Sequence, residues 1–109
     1  MATANVEICR VARDEKSSGA VYGKCLRSQA LTVSSSTATL TTALTAAEID
    51  SGAIVRVSTD TACYVAVGAF PNPAATTETA ATTAKMLLQA GTDLPFPVSP
   101  GDKVAVIAL

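Results

Sequence analysis

The sequence predicts an all-β protein: a single antiparallel β-sandwich of jelly-roll-like form over residues 1–109, with one short helical turn near residues 45–51. Three observations predict it. Short apolar or alternating runs recur along the chain, separated by turn residues roughly every 8–12 positions. One stretch carries both helix-start and helix-stop signals, and they lie too close together for a helical layer. A length of 109 residues fits one hydrophobic core and leaves no room for a second.

The first elements are VEICRVA (6–12) and AVYGKCL (20–26), which flank the polar RDEKSSG and read as a hairpin with a seven-residue loop. RSQALTV (27–33) reads as a further strand to about Val33, Ser34-Ser35-Ser36 turns the chain, and a short strand follows at 37–41. LTAAEIDSG (44–52) is the helical corner. Thr45 and Glu48 have capping-box spacing, Leu44 and Ile49 can staple it, and Gly52 offers a left-handed stop.

AIVRVST (53–59) and ACYVAVG (62–68) both alternate with period two, and Asp60-Thr61 between them suggests an antiparallel pair. AFPNPAATTETAATTA (69–84) is low in complexity and nearly uncharged, which predicts a long loop. KMLLQ (85–89) is a strand, and LPFPV (94–98) is an edge strand. Its prolines, Pro95 and Pro97, share one edge and remove that edge's donors. Ser99-Pro100-Gly101-Asp102 has type II turn chemistry. The closing KVAVIAL has the continuous apolar character of a central strand, whose last residues need cover.

Composition narrows the function classes. Net charge is −1 and there is no His. Nucleic-acid binding through many phosphate contacts is disfavoured, and the commonest general base and metal ligand are missing. No GxSxG, SxxK or phosphate-loop pattern accompanies the many Ser, Thr and Gly residues, so no catalytic residue, cofactor or bound metal is expected. Cys9, Cys25 and Cys63 are far apart in the chain and odd in number, without CxxC spacing. Each is expected to be a small buried residue, reduced in the native protein. Cys25 beside Lys24 is not read as reactive, because consecutive strand residues face opposite ways. No signal peptide opens the chain, and no apolar run approaches the ~18 residues of a membrane span.

Two features invite a partner. Only 4 % of residues are aromatic and there is no Trp, which makes a light core. Residues 1–27 carry five bases against three acids, whereas 28–109 carry three bases against six acids. The basic end fits a solvated hairpin, the simpler reading on charge alone, or a face that docks on an acidic partner.

From the corner onward, the apolar strand, ACYVAVG, the Pro/Ala/Thr loop, MLLQAG and the closing VSPGDKVAVIAL resemble small structural proteins of tailed bacteriophages. The resemblance covers residues 44–109. It implies a β-sandwich subunit of the virion, made in the host cytoplasm, that binds the major capsid protein as a head decoration or cement protein. It further implies a homo-oligomer, dimer or trimer, with neither nucleic acid nor membrane as partner. The candidate contact residues are then Arg10, Arg13 and Lys16 on the basic segment, Ala74, Ala75, Thr76 and Thr77 in the loop, and Ile107 and Leu109 at the terminus. A tail, fibre or adaptor component, or a host-surface glycan-binding module, is the alternative.

Overall fold

Period-two alternation sorts the side chains of this chain into an inside and an outside, and two sheets follow from it. The computed structural model describes residues 2–13, 20–50, 52–74 and 85–109. Its strands are β1 (Thr3–Arg13), β2 (Ala20–Thr32), β3 (Ala38–Thr39), β4 (Ala53–Thr59), β5 (Cys63–Gly68), β6 (Met86–Leu88), β7 (Asp93–Phe96) and β8 (Lys103–Ala108). One short helix, α1 (Ala46–Asp50), lies between β3 and β4.

The first sheet has the order β2-β1-β4-β7 and the second β3-β8-β5-β6, with every pairing antiparallel. β1–β2 and β5–β6 pair within a sheet as chain neighbours; the other described connections cross between sheets. The neighbour pattern is that of a jelly roll whose last strand has moved to the front of the chain. Val6, Ile8, Val55 and Val57 of the first sheet and Val65, Leu88, Val104 and Val106 of the second belong to one buried cluster. Each such side chain contributes about 1.5–3 kcal/mol by leaving water.

Several expectations hold. β7 is the edge strand of its sheet, paired with β4, as Pro95 demands. β8 is central, between β3 and β5. The turn before it closes through Asp102 N donating to Ser99 O at 3.1 Å, with Gly101 at φ +88°. That left-handed conformation is one only glycine adopts cheaply.

Two expectations are corrected. β4 and β5 do not pair with each other: the chain crosses at Asp60 from one sheet to the other, and their apolar faces meet across the core. Alternation reports which face is buried and is silent on which strand lies alongside. Residues 20–26 and 27–33 do not form separate strands either, but lie almost wholly in one 13-residue β2. Two register shifts against β1 absorb its irregularity, the first between Ile8 and Cys9.

The corner is capped as its residues require. Glu48 N donates to Thr45 Oγ1 at 3.2 Å and Thr45 N to Glu48 Oε1 at 2.9 Å. Gly52, at φ +85°, closes the far end by donating to Ile49 O. The sequence reading missed the corner's anchor. Arg27 of β2 reaches Glu48 through two bonds, Nε–Oε2 at 2.8 Å and Nη2–Oε1 at 3.0 Å, and also donates to the carbonyls of Thr42 and Ala43.

This guanidinium, together with the Thr45 donors, lowers the Glu48 carboxyl from 4.5 to about 2 against the opposing effect of burial. A carboxyl depressed on folding stabilises the protein above its unfolded value and loses that contribution as pH falls through its folded value. Stability is therefore expected to drop by about 2–3 kcal/mol between pH ~4.5 and ~2 through this group. Urea unfolding across that range checks it, since Glu48→Gln should flatten this part of the profile.

Candidate functional site

The inward faces of both sheets are taken up by the core, so any site the strands build must lie on the outer faces, at an edge or in a loop. On the second sheet the outward residues toward the end of β8 and its neighbours are mostly apolar, with Lys103 and Thr39 as polar members of the face. Tyr64 of β5 stands opposite Ile107 of β8 on one side and Leu87 of β6 on the other, making a row across three strands. Ala66 and Ala105 face each other two residues on and are buried. Leu87 is 45 % exposed, and Leu109, on the same alternation as Ile107, is 68 % exposed. The Lys85 ammonium lies 4.2 Å from the centroid of the Tyr64 ring, the geometry of a cation–π contact.

The outer face of the first sheet is polar. Arg56 of β4 is opposite Glu7 of β1 and reaches it at 3.8 Å. Its main partner is Asp93 of β7, through Nε to Oδ1 at 2.8 Å and to Oδ2 at 2.7 Å, with a further bond from Nη2. That pairing holds the Asp93 carboxyl below the usual range and raises the guanidinium's already high value. Beside Glu7 on this face lie Cys9 and, across from it on β2, Cys25.

The register corrects the expectation that each cysteine is buried. Ile8 pairs with Arg27, but the next residue, Cys9, pairs with Cys25, so Leu26 is an extra residue in β2. The bulge turns Cys25 out beside Cys9 and leaves it exposed, while Cys9 and Cys63 are buried. One ligating atom from each of Glu7, Cys9 and Cys25 lies within 4.8 Å of the others. The Cys9 thiol donates to Glu7 Oε2 at 4.0 Å. Burial raises the Cys9 thiol above its ordinary value, and the neighbouring Cys25 and Glu7 push the same way. Burial also raises Cys63, in the core.

The described surface also carries two depressions. One, of about 380 Å³, is lined by Thr3, Asn5, Ser58, Thr59, Asp60, Gly91 and Thr92. It offers hydroxyls and amides to a ligand, but none of these residues supplies the aromatic stacking platform a sugar ring favours. The other, of about 200 Å³, opens at the β6/β7 side of the sandwich among Val65, Val67, Met86, Phe96 and Lys85. No described helix is long and apolar enough to cross a membrane.

Of the contact residues expected from sequence, Ile107 falls on the outer face, half-buried, and Leu109, just past the end of β8, is exposed. Ala74 is exposed just after the buried Pro73, and Arg10 is exposed in β1 opposite Ala53. The Arg13 side chain, Lys16, Ala75, Thr76 and Thr77 lie outside the described residues. Arg27, one of the five bases of the basic end, is neutralised by Glu48. The sequence reading missed Tyr64 as the residue between Ile107 and Leu87, and Cys9 as the neighbour of Cys25. Alternation put each residue on a face; only register brings them together. Compared with protein-family models, curated proteins and solved structures, the chain finds no match.

Proposed function

We propose that this protein is a structural subunit of a tailed-phage virion, a head decoration or cement protein that binds the major capsid protein and associates with copies of itself. The observation that carries the proposal is the row Ile107–Tyr64–Leu87, apolar on the outside of a sandwich whose core is already filled from the inside. These side chains stand outside the buried cluster, Ile107 and Tyr64 partly exposed and Leu87 exposed, and apolar surface left open to water in this way marks an interaction site. The prolines at β7 discourage pairing at that edge, so contact by a face rather than by an added strand suits this fold. A shell with many equivalent sites lets an oligomer of modest individual contacts bind by avidity. The resemblance of residues 44–109 to phage structural proteins points the same way.

The experiment is the copy number of the chain in purified particles. Hundreds per particle support decoration; a few copies at one vertex or on the tail overturn it in favour of a tail, fibre or adaptor component. A charged substitution tests the face itself. Leu87→Asp, at a half-exposed position, is expected to fold with a melting temperature close to that of the parent and to lose at least tenfold in self-association or particle binding, about 1.4 kcal/mol. Sedimentation of the free protein and a particle pull-down read the two outcomes. Unchanged association in both would remove this face from the interaction.

A further inference from the structure

We propose that Glu7, Cys9 and Cys25 form a binding site for a thiophilic divalent cation, zinc(II), on the outer face of the first sheet. Three observations carry it, independent of the virion reading. The first is geometry. A tetrahedral zinc with Zn–S of about 2.3 Å and Zn–O of about 2.0–2.2 Å sets its ligand atoms roughly 3.5–3.8 Å apart. One ligand atom from each of the three residues already lies within 4.8 Å of the others, and Cys9 Sγ is 4.0 Å from Glu7 Oε2. Contraction of about an ångström, within the reach of side-chain rotation, closes the set.

The second is the bulge. A regular ladder would set Leu26 opposite Cys9 and turn Cys25 toward the core side; the extra residue re-aims Cys25 onto the face of Cys9. Bulges that re-aim a side chain are found beside functional sites. The third is charge. Zinc held by two thiolates and one carboxylate has a net charge of −1, and Arg56, though bonded chiefly to Asp93, lies 3.8 Å from Glu7 and offsets part of it.

Binding breaks two S–H bonds and forms two Zn–S bonds; the two protons leave to solvent, and no electron is transferred. The carboxylate enters already ionised. Cys9 is buried and Cys25 exposed, so the ion is covered on one side and reachable from the other. Three protein ligands leave a fourth position for water or an incoming ligand.

The test uses the full chain, kept reduced with a phosphine, and cobalt(II) as the optical probe. One equivalent of cobalt is expected to give a thiolate-to-metal charge-transfer band that zinc(II) abolishes by displacement. Cys25→Ser, at an exposed position where circular dichroism should report an unchanged fold, is expected to lose the band and at least roughly tenfold in zinc affinity. Glu7→Gln should keep a weaker band, and Cys63→Ala should leave it intact. No band from wild-type protein with three titratable thiols overturns the proposal. So does a band that survives Cys25→Ser, or a reduced pair that refuses metal and loses two thiols to a disulfide in air.

Discussion

Deleting Val106–Leu109 is expected to abolish folding. β8 lies between β3 and β5, so the loss is felt on both sides. Val106 is fully buried and pairs with Val65 and Ala38, while Ile107 pairs with Tyr64 and Ala108 with Cys63. Ala108 N also donates to Ser34 O at 2.9 Å, tying the turn after β2 to the closing strand.

Burying Val106 and half of Ile107 is worth about 2–4 kcal/mol. The lost ladder bonds add roughly 0.5–1.5 kcal/mol each where their partners stay buried. Leu109, mostly exposed, adds little to the monomer. The total approaches the stability of a small domain, about 5–15 kcal/mol. Circular dichroism and urea unfolding of the truncated chain check this; a cooperative transition near that of the parent would show that β8 ends functionally at Ala105. Deleting Leu109 alone should be nearly neutral for folding.

Arg27→Ala is expected to destabilise the protein by about 1–3 kcal/mol, the range for removing one partner of a part-buried, hydrogen-bonded ion pair. The guanidinium ties β2 to the corner and to the carbonyls of Thr42 and Ala43. Its loss leaves Glu48, 16 % exposed in the intact pair, without its counter-charge. Gln29 would still hold Thr41, donating to its Oγ1 at 2.9 Å and accepting from its N at 3.0 Å, so the crossover should loosen without detaching. A double-mutant cycle with Glu48→Gln isolates the pair. If Arg27→Ala costs no more in the parent than in the Glu48→Gln background, the ion pair contributes nothing beyond packing. The acid-linked loss of stability should shrink in Arg27→Ala as well, because the carboxyl then titrates nearer its ordinary value.

Local chemistry made several parts of this protein legible. Thr45, Glu48 and Gly52 specified the corner through caps that act over three or four residues. Pro100 and Gly101 specified the turn, because one fixes φ near −65° and the other accepts positive φ. Pro95 and Pro97 marked an edge by removing donors. Alternation in 53–59 and 63–67 named the buried faces, and the unbroken apolar run of β8 named a central strand.

What alternation leaves open is the identity of the neighbour. β4 and β5 carry the same signal whether they lie side by side or face to face, and the tertiary fold chose the second because it closes a core between two sheets. The same limit hid both outer-face clusters. Ile107, Tyr64 and Leu87 come from three strands far apart in the chain, and no spacing along it relates them. Cys9 and Cys25 looked unrelated because a regular hairpin would put Leu26, not Cys25, beside Cys9. One extra residue in β2, a feature of register rather than composition, moves that thiol to the other face. Arg27, read as one of five bases on a polar end, is drawn to the corner because its carboxylate and two carbonyls lie within reach. Sequence by itself determined the faces, caps and turns, which depend on residues close in the chain. Tertiary structure alone decided partners, because pairing depends on the free energy of the whole sandwich.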